Sequence, residues 1–273
     1  MSQRHGFRCT VLFSTDKENG EINPEEQTYI PGIEVLDDAD MMVCFLRFRE
    51  LPDEDMAHFV NYVESGKPIL GLRTATHAFD YRRDKQSPHV RYSWNSGAWV
   101  GGFGRQVLGD TWISHHGHHG QESTRGVVED GNAAHPVLRG VSDVWGPTDV
   151  YGIRNLPASA TVLLRGQVLQ GMQPDSAVLE GAKNQPMMPI AWARELPAAN
   201  GSTQRIVCST IGASTDCESE DLRRLFVNAC YWGVGLEDQI TATSNVDVVG
   251  EYHPTAFGFG GYTKGVRAYD HAR

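Results

Sequence analysis

The stretch Lys67-Pro-Ile-Leu-Gly-Leu-Arg-Thr-Ala-Thr-His-Ala-Phe-Asp-Tyr81 constrains the fold more than any other part of the chain. Pro68 to Leu72 is apolar, too short for a helix and preceded by Gly66, which predicts a short buried strand. Gly71 and Ala75 bracket a tight turn, after which Thr76 to Tyr81 can begin a helix. Strand, sharp turn and helix are the parts of a nucleophile elbow, which holds one side chain at the carboxyl edge of a sheet. The tip of this elbow is Arg73, which is not a nucleophile. The stretch places a site and leaves its reaction open.

The flanking sequence builds outward from that strand. Met41 to Leu46 is a second apolar run without alternation, which predicts burial on both faces, as in a parallel sheet. Pro52-Asp-Glu-Asp55 starts a helix, with proline in the first turn and acids at its positive end. Met56, Phe59, Val60 and Val63 form its apolar stripe and Gly66 ends it, so residues 41–72 predict a right-handed β-α-β unit. Further strands are expected at Cys9 to Phe13, Thr111 to His116, Arg125 to Glu129, Thr161 to Leu169, Met188 to Arg194 and Arg205 to Thr210. Glu218 to Trp232 is the clearest helix, with a capping-box pattern at Thr215-Asp-Cys-Glu218 and a stop at Gly233. The expected fold class is α/β, a three-layer sandwich with a mostly parallel sheet over residues 1–236. An extended tail, 237–273, follows and carries Phe257-Gly-Phe-Gly-Gly261.

Composition narrows the partners. With 24 basic and 34 acidic residues the formal charge is −10, which argues against a general nucleic-acid or anionic-membrane surface. No apolar run reaches membrane-spanning length, and the opening Met-Ser-Gln-Arg-His-Gly has no secretory apolar core. Five cysteines with no Cys-x-x-Cys spacing read as reduced thiols, Cys9, Cys44 and Cys208 being small core residues. That usage suits the cytoplasm.

Four constellations can carry chemistry. Arg73 could clamp a carboxylate, phosphate or vicinal hydroxyls through its planar fork, with His77 one turn on as an acid or base. The plainer reading of Arg73 is a pair with a buried acid that holds the turn. Ser114-His-His-Gly-His-His-Gly120 offers four imidazoles, but adjacent residues of an extended chain face opposite ways, so all four do not converge easily. A hydrogen-bonding role is favoured there over metal ligation. Asp149 and Tyr151 flank one apolar residue and could project together into a cleft, although Gly-Pro-Thr-Asp is also a common turn composition. Thr215 and Asp216 lie between a strand end and a helix start, where open α/β sheets take ligands; capping explains them equally well.

These pieces resemble one family in their order along the chain. The elbow Gly71 to Phe79, the His135-Pro turn, Asp149-Val-Tyr151, Pro189-Ile-Ala-Trp192 and Arg205 to Gly212 with the helix after it resemble ThuA-like (trehalose-utilisation) proteins. The Phe257 to Gly261 tail looks like that of planctomycete-type bacterial members. The resemblance implies a flavodoxin-like sheet related to class I glutamine amidotransferases, and a sugar or sugar derivative as small-molecule partner. It implies His77, His115 and His116 as catalytic candidates, with Arg73, Thr74, Asp149, Tyr151, Thr215 and Asp216 binding substrate. A carbohydrate-acting hydrolase or isomerase is one expectation and a non-catalytic binding module another. A metal-dependent hydrolase on the His115 to His119 cluster is a third. The departures count too: Arg73 stands where amidotransferases carry cysteine, and Gly212-Ala213 stands where Gly-His is expected. A Cys-His-Glu triad cannot be assembled, so glutaminase activity is not expected. No motif specifies a cofactor, and a homo-oligomer is compatible with the sequence. The family opens with a central strand and helix that this chain lacks, from which a truncated start, and with it a lost export signal, would follow.

Overall fold

The computed structural model describes residues 1–271. Seven strands make one sheet: β1 (Met42–Cys44), β2 (Ile69–Leu72), β3 (Thr124–Val128), β4 (Val144–Gly146), β5 (Thr161–Val168), β6 (Met188–Pro197) and β7 (Thr203–Ser209). Their spatial order is β1-β2-β7-β6-β5-β3-β4. Three α-helices accompany them: α1 (Ser2–His5), α2 (Asp53–Glu64) and α3 (Glu220–Gly233). The α/β class stands.

The mostly parallel sheet does not. Only β1–β2 and β2–β7 pair in parallel; β3–β4, β3–β5, β5–β6 and β6–β7 are antiparallel. The reason is in the connections. A parallel pair needs a crossover of a dozen residues or more, usually helical, and only α2 supplies one between sheet neighbours. β6 and β7 are instead joined by a tight turn closed by Ala198 N–H on the Ser202 carbonyl, at 2.9 Å.

Alternate residues of the central strands feed two cores. Ile69, Ile206 and Cys208 pack with Met56, Phe59 and Val63 of α2. Leu70 and Val207 face the other way, onto Leu222, Leu225 and Ala229 of α3. A period of two with both faces covered is why these strands read as continuous apolar runs. The result is a sheet between two helices. The α2 start is as expected, with Pro52 as N-cap and Asp53, Glu54 and Asp55 in the first turn. For α3 the cap is Ser219, whose hydroxyl accepts from Leu222 N–H, and not the Thr215 box. Residues Asp216–Glu218 form a separate 3-10 turn.

Other expectations change as well. Cys9 to Phe13 forms no strand, and Cys9 is exposed. β1 is three residues long and lies at the sheet's edge, so Val43 is 53 % exposed instead of buried on both faces. Thr111 to His116 contributes a single bridge, His115 to Tyr151. After the elbow a 3-10 turn, Arg73–His77, replaces the expected helix. Among the described residues, no helix is long and apolar enough to cross a membrane.

Candidate active site

Strand direction gathers the site. β1, β2, β7, β5 and β4 all run the same way, so the residues after Cys44, Leu72, Ser209, Val168 and Gly146 emerge at one edge. The elbow tip Arg73, the Thr210 carbonyl and Asp149 meet there. Arg73 has φ 35°, and Phe48, past the end of neighbouring β1, has φ 50°. They are the two non-glycine residues with positive φ among the described residues. Such backbone is strained and persists where the surroundings enforce it, which is typical of functional edges.

Arg73 does not reach out of this edge. Its Nη1 donates to the carbonyls of Asp149 (3.1 Å) and Thr210 (2.8 Å), and its Nη2 donates to Asp149 Oδ1 at 3.0 Å. The guanidinium also lies 4.3 Å from the centre of the Tyr151 ring, and the residue is 5 % exposed. The fork is spent on the protein, so the expected ligand clamp is replaced by a brace on Asp149.

Asp149 is the hub. Its side chain is fully buried, and it accepts from His115 Nδ1 on Oδ2 (2.6 Å) and from His119 Nδ1 on Oδ1 (2.8 Å). Burial alone would raise its pKa; the Arg73 charge and the hydrogen bonds from His119 and His115 outweigh that and lower it. An ionised carboxylate can only accept, so each Nδ1 carries the hydrogen. The side chains of His115 and His119 are 45 % and 55 % exposed, so this pair of imidazoles forms the solvent-facing side of the site.

His77 lies beneath them at 4 % exposure. Burial, then repulsion from Arg47 and Arg73, pushes its pKa down to about 3. It is therefore neutral near pH 7, with Thr76 Oγ1 3.2 Å from its Nδ1. Around it stand Phe48 (5.0 Å between ring centres), Trp112 (5.4 Å) and Tyr151 (5.9 Å). Trp94 packs on Trp112, and both indole N–H groups are buried without a hydrogen-bond partner among the described residues.

The structure thus brings together Arg73, His77, His115, Asp149 and Tyr151. It separates His116, whose Nε2 donates to the Lys183 carbonyl at 2.8 Å. Thr74 is half-buried on the elbow turn. Asp216 is fully buried and spent on the protein: Oδ2 accepts from Gly212 N–H, Ala213 N–H and the Thr148 hydroxyl, clamping the Ser209–Asp216 connection to the β4 end. Thr215 only precedes that turn.

Phe48, Trp94 and Trp112 were not among the expected site residues, and His119 was expected only as part of the metal-binding cluster. For His119 the signal was present: it lies four residues from His115 with Gly117 between them. Gly117 packs its α-carbon against Asp149, where an added Cβ would come within 3.1 Å of the Asp149 Cβ. This close approach turns both rings to one carboxylate. One ring nitrogen each of His115 and His119 and an Asp149 oxygen lie within 4.8 Å of one another, so these three residues could also hold a divalent cation.

No curated protein matches the chain. Among solved structures, a ThuA-like protein from Bacteroides uniformis is 16 % identical, covering 77 % of this chain and 74 % of its own, with a TM-score of 0.46. A ThuA-like protein from Parabacteroides merdae is 15 % identical over 77 % of each chain, with a TM-score of 0.45. The family profile described as ThuA, trehalose utilisation, matches residues 11–233, and the chain belongs to that family.

Proposed function

We propose that the cleft over Asp149 binds and acts on a sugar or sugar derivative, as a hydrolase or isomerase, with His115 exchanging the proton. The observation that carries this reading is the His115–Asp149 pair. A buried carboxylate holds the Nδ1 hydrogen, which leaves Nε2 of a half-exposed ring as the free proton acceptor. The family supplies the substrate class. Trp112, part-exposed and 5.7 Å from the His115 ring, offers an apolar face to a sugar's C–H surface, with the buried Tyr151 ring packed behind it. His77, being neutral, serves as a hydrogen-bonding group and not as the acid.

Glutaminase chemistry is not part of the reading. Burial pushes Cys44 and Cys230 up to about 12 and Cys217 up to about 11, and the elbow tip is an arginine. Those thiols stay protonated near neutral pH and are poor nucleophiles. The helix–sheet–helix layering is in keeping with a flavodoxin-like relationship, although four of the six strand pairs are antiparallel.

A second reading uses the same three groups as ligands of a divalent metal, supported by their mutual approach within 4.8 Å. The two exclude each other at His115, because a metal on either ring nitrogen takes the Nδ1 that carries the hydrogen or the Nε2 that accepts the proton. Titration calorimetry with trehalose, glucose and their oxidised derivatives, on protein of measured metal content, separates them. Sugar binding by metal-free protein supports the dyad. Binding only after stoichiometric zinc or nickel is loaded supports the metal site.

A further inference from the structure

A second cavity, of about 220 Å³, adjoins the cleft behind Phe48. Arg47, Phe48 and Arg49 form one wall, Pro24, Glu25 and Gln27 another, and the tail residues Phe257 to Phe259 close it. Phe48 is the partition, because its ring also touches His77 and Trp94.

The two arginines are short of partners. Arg47 has no carboxylate within 4.0 Å among the described residues; its guanidinium carbon lies 5.0, 4.8 and 5.1 Å from the ring centres of Phe48, Phe257 and Phe259. Arg49 is 7 % exposed, and its Nη1 donates to the backbone carbonyls of Pro24 and Glu26. Its Nε is buried with no hydrogen-bond partner among the described residues. The acids nearby are turned elsewhere. Glu25 Oε1 accepts from Gly260 N–H (2.7 Å), Glu26 from Thr28, and Glu50 from Arg83 and Asp84 N–H. Burial, followed by repulsion from Arg47, drops the Arg49 pKa to about 10.

Two buried or half-buried cations line one cavity whose own acid, Glu25, is turned to Gly260 N–H, and a bound anion would relieve the cost of their unpaired charge. We propose that this cavity is an anion subsite for a carboxylate, held by Arg47 and Arg49 inside the wall of Phe48, Phe257 and Phe259. A carboxylate fits better than a phosphate. The planar guanidinium fork pairs with either anion, but the phenyl rings offer no donor to a phosphate's third oxygen. Set against the cleft, the subsite points to an acidic sugar derivative as the substrate class, and that last step rests on the sugar reading above. The anion preference itself does not.

The test is binding, measured by calorimetry with four probes: D-glucuronate, D-glucose, glucose 6-phosphate and benzoate, the last a carboxylate without a sugar. We expect glucuronate to bind at least about tenfold more tightly than glucose, and Arg47→Gln to remove that advantage without touching glucose. Phe259→Ala alters an 81 % exposed side chain, cannot unfold the chain, and should weaken both carboxylates. Arg47-dependent binding of benzoate without glucuronate would keep the anion site and sink the sugar reading. Equal affinity for glucuronate and glucose with no benzoate binding, or carboxylate binding indifferent to Arg47→Gln, would overturn the proposal. Tighter binding of glucose 6-phosphate than of glucuronate would overturn its assignment to carboxylates.

Discussion

Arg73 and Asp149 are bonded to each other at 3.0 Å in the interior, at 5 % and 1 % exposure, and this one pair sets the geometry of the cleft. Arg73 sits on the elbow after β2 and Asp149 after β4, at the far end of the sheet order. The pair therefore joins two parts of the edge that the sheet itself holds apart. Whatever Asp149 does for His115 and His119 depends on the guanidinium behind it.

The first expectation follows from that dependence. Asp149→Ala leaves the Arg73 charge buried without its acid and should cost about 3–5 kcal/mol in urea unfolding. Arg73→Lys keeps the charge but cannot donate to Asp149 and Thr210 together; a loss of about 1–3 kcal/mol is expected. If Arg73→Lys left stability unchanged and instead abolished sugar binding, the arginine would be a ligand clamp and not a brace.

Acid should destabilise the fold through His77. Its folded pKa of about 3 lies below its ordinary value of 6.5, so the unfolded chain binds the proton first as pH falls. Stability is thus complete above about pH 6.5 and declines between 6.5 and 3. Asp149, with a lowered pKa, adds a further loss only below its ordinary 3.8. His77→Gln should flatten the pH 6.5 to 4 limb of a melting-temperature profile; a slope equal to wild type would assign that limb to other groups.

Glycine spacing beside the elbow can be tested on its own. A Cβ built on Gly104 would lie 2.1 Å from the Thr76 carbonyl oxygen, a contact no side chain tolerates. Gly104→Ala must shift the elbow turn, with an expected loss of about 1–3 kcal/mol or more. An unchanged melting temperature would show that the turn is loose.

The outer edge at β1 is an association hazard. Val43 on the edge strand and Phe45 just past its end are 53 % and 49 % exposed. Exposed apolar edges template pairing with other chains, and lysine blunts them. Val43→Lys should leave stability within about 0.5 kcal/mol and reduce self-association in light scattering.

Much of this molecule was legible in its sequence, for identifiable reasons. The β2 strand, the α2 and α3 stripes and the elbow rest on local periodicity, and each lies within a residue or two of its expected place. The direction of the later strands was not legible, because nothing within β5 or β6 tells a hairpin partner from a crossover partner. The site was half legible. Asp149 and Tyr151 were found by their spacing, but Arg73 faces inward because a residue 76 positions on offers it a carboxylate. His119 was passed over for His116 because an extended chain was assumed, and the turn at Gly117 inverts that choice.

His115, oriented by Asp149, is proposed to exchange a proton with a sugar at this site. The most direct measurement follows trehalose, glucose and their oxidised derivatives by proton NMR with wild-type protein and with His115→Ala, alongside His116→Ala. Turnover of at least one compound by the wild type is expected. His115→Ala should lose about two to four orders of magnitude in rate with binding retained, and His116→Ala should keep near-normal rates. Turnover that survives His115→Ala intact, or a wild type that neither binds nor converts any of these sugars, would contradict it.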